Sequence, residues 1–113
     1  MIERMTHDQY VGSVRRQAAE MAAGILAGEI PVLEGCQSLA ALRRDVEVDE
    51  DDVDFAIFVM ISSETDALPV GAVRTRWANG ALAALEPAMQ SAIAWATAQA
   101  LPACESIVQR FGD

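Results

Sequence analysis

The stretch DEDDVDFAIFVMI, residues 49–61, decides the fold class, because its apolar half suits either a helix or a strand. The run FAIFVMI, residues 55–61, is rich in aromatic and β-branched side chains, which fit a buried strand as well as a buried helix. The acids ahead of it favour the helix, because carboxylates stabilise the positive end of a helix dipole. A strand would need a partner, for which VGAVRTRW, residues 70–77, is the suitable segment. We predict a buried helix, with an α+β fold containing a hairpin of residues 55–61 and 70–77 as the alternative.

Two segments on the N-terminal side have helical periodicity. Thr6 and Gln9 have the spacing of a capping box, and apolar residues then recur every three or four positions until Gly28, which favours a helix end. Pro31 fits the first turn of a second, shorter helix that ends near Arg43.

The C-terminal segment predicts a long helix, capped by Asn79 and ending at Gly112. One apolar stripe runs along it: Met89, Ile93, Ala96, Ala100, Cys104, Ile107 and Phe111. Pro87 fits either the first turn of a new helix or a bend, and Pro102 should bend the helix because it lacks an amide hydrogen. The sequence therefore predicts a single all-α domain over residues 1–113, a small bundle of four to five helices with a long, proline-bent C-terminal helix.

The charge balance restricts the class of partner. The chain has 113 residues and a formal net charge of −9, which disfavours nucleic acid and anionic membrane surfaces and suits a basic protein. The uncharged run from Pro87 to Cys104 is about as long as a short membrane span, but polar residues interrupt it and alanine contributes little to insertion. We expect a protein partner, with no nucleic acid and no membrane.

Cys36 and Cys104 lie far apart in apolar helical contexts, and the charged N-terminal residues do not resemble a signal peptide. These features predict a cytoplasmic protein with buried, reduced thiols. A disulfide and a catalytic cysteine are weaker alternatives. The eight basic residues are all arginine, which together with the alanine content indicates a GC-rich genome.

The sequence predicts no metal and no cofactor. The acidic run of residues 45–54 lacks the glycine of a calcium-binding loop, and it is typical of a solvated helix start. His7 is the single histidine, so a zinc site or a histidine-dependent nucleophile would depend on one residue at the start of a helix. This absence of a catalytic set favours a non-enzymatic protein.

The segment SSETDALPVGAVRTRW, residues 62–77, is the polar, turn-forming stretch that invites a functional interpretation. In the structural interpretation its acids pair with its own arginine, and its tryptophan covers the end of the bundle. In the functional interpretation the same groups form a shallow site for a small polar ligand or an arginine-rich partner. The candidate residues are Ser63, Glu64, Thr65, Asp66, Arg74 and Trp77.

This segment also carries a resemblance. A Ser-Glu-Thr-Asp, Leu-Pro-x-Gly, Arg, Trp pattern is formed here by Ser63, Glu64, Thr65, Asp66, Leu68, Pro69, Gly71, Arg74 and Trp77. It resembles a group of short, uncharacterised bacterial proteins, and the likeness covers most of the chain from about residue 20. The resemblance implies no activity and no cofactor.

Three functional hypotheses follow. The first is a non-enzymatic, acidic helical protein-interaction module, such as an immunity or antitoxin protein, that binds a basic partner. The second is a small-ligand-binding protein or small enzyme that uses residues 62–77. The third is a homodimer whose alanine-rich helices pack across a two-fold axis.

Overall fold

The computed structural model describes residues 6–70 and 76–112, and these residues form four α-helices with no strand among them. The helices are α1 (His7–Leu26), α2 (Val32–Leu42), α3 (Val53–Glu64) and α4 (Asn79–Phe111). The all-α prediction is confirmed. The hairpin alternative is wrong, because residues 55–61 lie inside α3.

The acids ahead of α3 explain why this apolar run is helical. The Asp52 side chain caps the helix by accepting hydrogen bonds from the amides of Asp54 (3.1 Å) and Phe55 (3.2 Å). Phe55, Phe58 and Ile61 then recur every three residues and are fully buried. The two phenylalanine rings meet edge to face, with centroids 5.7 Å apart, at the centre of the core.

Both predicted ends of α1 are present. The Gln9 amide donates to the Thr6 hydroxyl oxygen at 3.1 Å, and the Thr6 amide donates to the Gln9 side chain at 2.9 Å, which forms the capping box. After the helix, Gly28 has a φ of 75°, and the amides of Gly28 and Glu29 donate to carbonyls of the last turn. This is a Schellman motif, in which a glycine is favoured at the left-handed position.

Helix α4 is continuous over 33 residues and contains both Pro87 and Pro102. Pro87 therefore does not begin a new helix, and the described residues contain four helices, within the predicted four to five. The expected cap at Asn79 is also wrong, because Asn79 is already helical and Ala78 occupies the cap position without a side-chain bond. Both proline rings are on the exposed side of the helix. The bend at Pro102 stays a prediction.

The helices alternate in direction, so the start of α1, the end of α2, the start of α3 and the end of α4 meet at one end of the bundle. At the other end of the bundle, α4 extends beyond the shorter helices. At 1.5 Å per residue α4 is about 50 Å long and α1 about 30 Å. The first ten residues of α4 are accordingly exposed, apart from the half-buried Leu82 and Leu85. None of the four described helices combines the length and apolar content needed to cross a bilayer.

Two glycine substitutions in and after α1 should have opposite effects. Gly28→Ala places a side chain at a φ of 75° and should lower the free energy of unfolding by about 1 kcal/mol. Gly12→Ala lies inside the helix, where an added Cβ comes no closer than 3.8 Å to Arg16, and should raise it by about 0.5–1 kcal/mol. Urea unfolding followed by circular dichroism measures both. Equal effects of the two substitutions would contradict the Schellman ending.

Candidate functional site

The residues of the candidate site in the 62–77 segment differ in their exposure. Ser63, Glu64 and Asp66 are exposed at the end of α3, whereas Thr65 is 2% exposed and its hydroxyl donates to the Ile61 carbonyl at 2.7 Å. Trp77 is 38% exposed just before α4. Thr65 thus contributes to the helix end and not to the surface that its neighbours share.

The predictions for Arg74 and Gly71 lie outside the described residues. This applies both to an ion pair between Arg74 and the acids of the segment and to the role of Arg74 as a donor to a ligand.

Two apolar residues of this segment, Pro69 and Val70, face the bundle. A pocket of about 250 Å³ lies between the segment, the start of α2 and α4. Its lining consists of Pro31, Val32, Leu33, Glu34, Pro69, Val70, Met89 and Ile93. Glu64 and Asp66 do not line it, so the acceptors that we predicted for a polar ligand are not gathered around this pocket.

A second acidic surface lies at the other end of α3. The connection between α2 and α3, residues 43–52, is named the acidic lobe here. Val46 is fully buried and Val48 is half-buried against the core. The alternation Asp-Val-Glu-Val-Asp therefore places the valines inward and the carboxylates outward. The exposed acids are Asp45, Glu47, Asp49, Glu50 and Asp51.

Arginine side chains anchor the lobe through its backbone. Arg15, on α1, donates from Nε to the Val46 carbonyl at 2.9 Å and from Nη2 to the Glu47 carbonyl at 3.5 Å. Arg43 donates from Nη2 to the Glu50 carbonyl at 2.6 Å. Because these guanidinium groups bind carbonyls, they hold the loop without covering its carboxylates.

Glu47 is the strained point of the lobe. Its φ of 53° lies in the left-handed region, which costs a non-glycine residue roughly 1–2 kcal/mol. The side chain is held by contact between the Glu47 carboxylate and Nε2 of His7. A neighbouring acid is also held, since the Tyr10 hydroxyl donates to Asp45 at 3.1 Å. The first turns of α1 thus fix one side of the lobe.

The other side of the lobe is fixed by an ion-pair cluster. Arg110, in the last turn of α4, donates from Nη2 to Asp52 at 2.7 Å and from Nη1 to Asp54 at 2.8 Å. The Ser106 hydroxyl also donates to Asp54, at 2.6 Å. The end of α4 is thereby joined to the start of α3.

This cluster displaces two pKa values. Burial by itself would raise the pKa of Asp52, but the hydrogen bonds from Arg110 and from the amides of Phe55 and Asp54 outweigh it and lower the pKa. The hydrogen bond to Asp52 in turn raises the pKa of Arg110. Both groups are therefore held in their charged forms.

Phe111 connects the two anchors. The guanidinium carbon of Arg110 lies 4.8 Å from the centre of its ring, and that of Arg15 lies 5.2 Å from the same centre. Each distance is suitable for a cation–π interaction. One ring thus positions the arginine that holds Val46 and the arginine that holds Asp52.

Little in the sequence indicated this arrangement. The acidic run was interpreted as a solvated helix start. Asp52 and Asp54 do lie at the start of α3, but their side chains are only 12% and 13% exposed and bind Arg110. Three arginines of the arrangement were missed, because Arg15 and Arg110 are 31 and 58 residues from the partners they bind and Arg43 binds a backbone carbonyl. The alternating valines of DVEVD were the available signal for an anchored loop.

Both cysteines are buried and free, so the prediction of buried thiols is confirmed. Burial, with a smaller contribution from Cys104, raises the pKa of Cys36 to about 12. Burial also raises the pKa of Cys104 to about 11, with Asp54 and Glu105 adding to it. These values oppose the thiolate that a nucleophile needs. Within residues 6–70 and 76–112, no cluster of three or more histidine, cysteine or acidic side chains could hold a metal ion.

Comparisons with protein-family models, curated proteins and solved structures gave no match to this chain.

The coupling between Asp52 and Arg110 should depend on pH. A double-mutant cycle with Asp52→Asn and Arg110→Gln should give a coupling free energy of about 1 kcal/mol at pH 7, since the pair is partly exposed. The pKa of Asp52 is lowered on folding, so this stability is present above the ordinary aspartate pKa of about 4 and is lost as pH falls through the lower, folded value. Urea unfolding at a series of pH values measures it. A coupling that is unchanged at pH 2 would contradict the ion pair.

The thiols should react slowly in the folded protein. At pH 8 their raised pKa values leave less than about one thiol in a thousand ionised, so a disulfide reagent should react at least about 100-fold more slowly than in the urea-unfolded chain. Absorbance of the released thiol measures the rate. Rapid reaction of either cysteine in the native protein would show that the core opens at that site.

Proposed function

We propose that this chain is a non-enzymatic protein-interaction module, of the immunity or antitoxin kind, that binds a basic protein through the acidic lobe. The observation that carries the proposal is the construction of the lobe. Its five exposed acids, Asp45, Glu47, Asp49, Glu50 and Asp51, are carried on a backbone that is anchored by arginines and by buried Val46.

Anchoring distinguishes this surface from a flexible acidic tail. Ordering a loop on binding opposes association, and a loop that is already held avoids most of that cost. The arginines contribute to this order without neutralising the outward carboxylates. In the described part of the chain, no ion pair engages the side chains of Asp49 or Asp51. These carboxylates therefore face solvent as acceptors for arginine or lysine.

The charge of the whole chain supports the same type of partner. A net charge of −9 accelerates the approach of a basic protein and opposes the approach of acidic ones. A protein that acts on nucleic acid has a basic surface suited to phosphates. The carboxylates of the lobe would occupy such a surface in place of phosphates, and this is the chemistry by which an immunity or antitoxin protein would block it.

The electrostatics of the lobe favour binding over catalysis. A carboxyl group that acts as a general acid needs a raised pKa, usually in a cleft. The pKa of Asp52 is instead lowered, by its hydrogen bonds to Arg110 and backbone amides. Free, buried Cys36 and Cys104 suit a reducing compartment, so we place this activity in the cytoplasm.

The test is capture of the partner by tagged protein expressed in the native host, with charge-neutralised variants. The lobe variant carries Asp49→Asn, Glu50→Gln and Asp51→Asn. We expect wild type to retain a specific basic protein, and the lobe variant to bind it at least about tenfold more weakly, with a smaller dependence on salt. Affinity is measured on the purified pair by calorimetry at two salt concentrations.

A matched control separates the lobe from net charge. Glu20→Gln, Glu29→Gln and Glu105→Gln remove the same number of exposed carboxylates elsewhere and should leave the affinity within about threefold of wild type. A third variant, Glu64→Gln with Asp66→Asn, tests the 62–77 segment. Loss of binding in this variant alone would move the site to that segment. Capture of no specific basic protein would overturn the proposal.

A further inference from the structure

The outer face of α4 lies on the side of the helix away from the core, and the proposed function does not use it. Seven of its residues are spaced alternately by three and four positions, and all seven are exposed. They are Ala81, Ala84, Ala88, Ser91, Trp95, Ala98 and Pro102, and they are named the outer seam here. This spacing is that of the contact positions in a coiled coil.

The N-terminal part of α4 has few stabilising features of its own. It extends past the shorter helices, it contains Gly80 and Pro87, and Ala78 supplies no side-chain cap. Short helices without packing are marginal in water, and these residues lower their stability further. Trp95 is 37% exposed farther along the same face. A partner that covered the seam would stabilise this part of the helix and bury Trp95.

The distribution of charge indicates which partner. From Ala78 to Cys104 the sequence has one charged residue, Glu86, which lies on the other side of the helix from the seam. A basic partner finds no complementary charge on this face. A second copy also has a net charge of −9, so most of the acidic surface of the first copy repels it. The uncharged outer seam does not. The outer seam is therefore suited to a second copy of the same chain.

We propose that two copies associate through this seam as an antiparallel helix pair, with the two-fold axis passing near Ser91. Such an axis places Ala88 opposite Trp95 of the partner subunit, so that the largest side chain of the seam meets one of the smallest. Ala84 then lies opposite Ala98 of the partner subunit, which allows close approach of the helices. The antiparallel direction also opposes the two helix dipoles favourably.

The available area is sufficient for a specific but modest dimer. With a rise of 1.5 Å per residue and a diameter of about 10 Å, half the surface of the helix over the seam is on the order of 500 Å² per copy. The pair then buries about 1,000 Å², near the lower limit for a specific interface. The dimer should therefore dissociate on dilution. It is independent of the acidic lobe, which lies at the opposite end of α4.

Sedimentation equilibrium of the full chain tests this proposal. We expect wild type to pass from monomer to dimer as its concentration rises into the micromolar to hundred-micromolar range. Ala88→Glu brings a charge against Trp95 of the partner subunit twice in each dimer and should raise the dissociation constant at least tenfold. Ala23→Glu, at an exposed position of α1, is the matched control and should dimerise like wild type. Circular dichroism establishes that each variant is folded before it is compared.

Cysteine cross-linking tests the register. Ser91→Cys should give a disulfide-linked dimer under mild oxidation, because the two-fold axis places this position against itself. Ala84→Cys should not link to itself but should link when mixed with Ala98→Cys. Wild type that stays monomeric at several hundred micromolar, or a dimer unaffected by Ala88→Glu, would overturn the proposal. Efficient self-linking of Ala84→Cys would indicate parallel helices and would overturn the antiparallel arrangement.

Discussion

The ion pairs between Arg110 and the two aspartates at the start of α3 are the interaction on which much of this structure depends. Asp52 has two roles, since it caps α3 and accepts from Arg110. The last turn of α4 is thereby tied to the first turn of α3, although 58 residues separate the partners in sequence. The acidic lobe enters α3 through this point, so its direction is set by the same contacts.

The arginines that anchor the lobe stabilise the fold without pairing with its five exposed carboxylates. Arg15 and Arg43 bind carbonyl oxygens, and Arg110 binds carboxylates that belong to the helix start. Phe111 packs against Arg15 and Arg110, so both guanidinium groups have a fixed position. The result is an electrostatic surface with a defined shape. Such a surface can select a partner by geometry as well as by charge.

Local signals in the sequence predicted the fold well. The capping box at Thr6, the glycine after α1 and the acids ahead of Phe55 each act within about one helical turn, so their effect can be inferred from neighbouring residues. Pro87 was harder, because a proline ring on the exposed side of a helix is compatible with a continuous helix as well as with a new one. The choice depends on packing along the whole apolar stripe of α4.

The candidate site was less predictable than the fold, because it too depends on contacts between residues that are distant in the sequence. The polar residues of the 62–77 segment are prominent in the sequence, but Thr65 is buried by its place at the end of α3. The acidic lobe looked like an ordinary solvated run, because nothing within ten residues identifies Arg15 or Arg110 as its anchors. Contacts of this kind arise from the tertiary arrangement of α1 and α4, which cannot be inferred from the spacing of neighbouring residues.

The choice of carbonyl oxygens as anchoring acceptors has a consequence for how this protein can evolve. Every residue type supplies a backbone carbonyl. Substitutions at Asp49, Glu50 or Asp51 therefore preserve the hydrogen bond from Arg43 and the burial of Val46. The backbone conformation of the lobe therefore does not depend on which side chains it exposes. A descendant of this chain could change its partner by altering a few exposed side chains, while the loop that presents them kept its conformation.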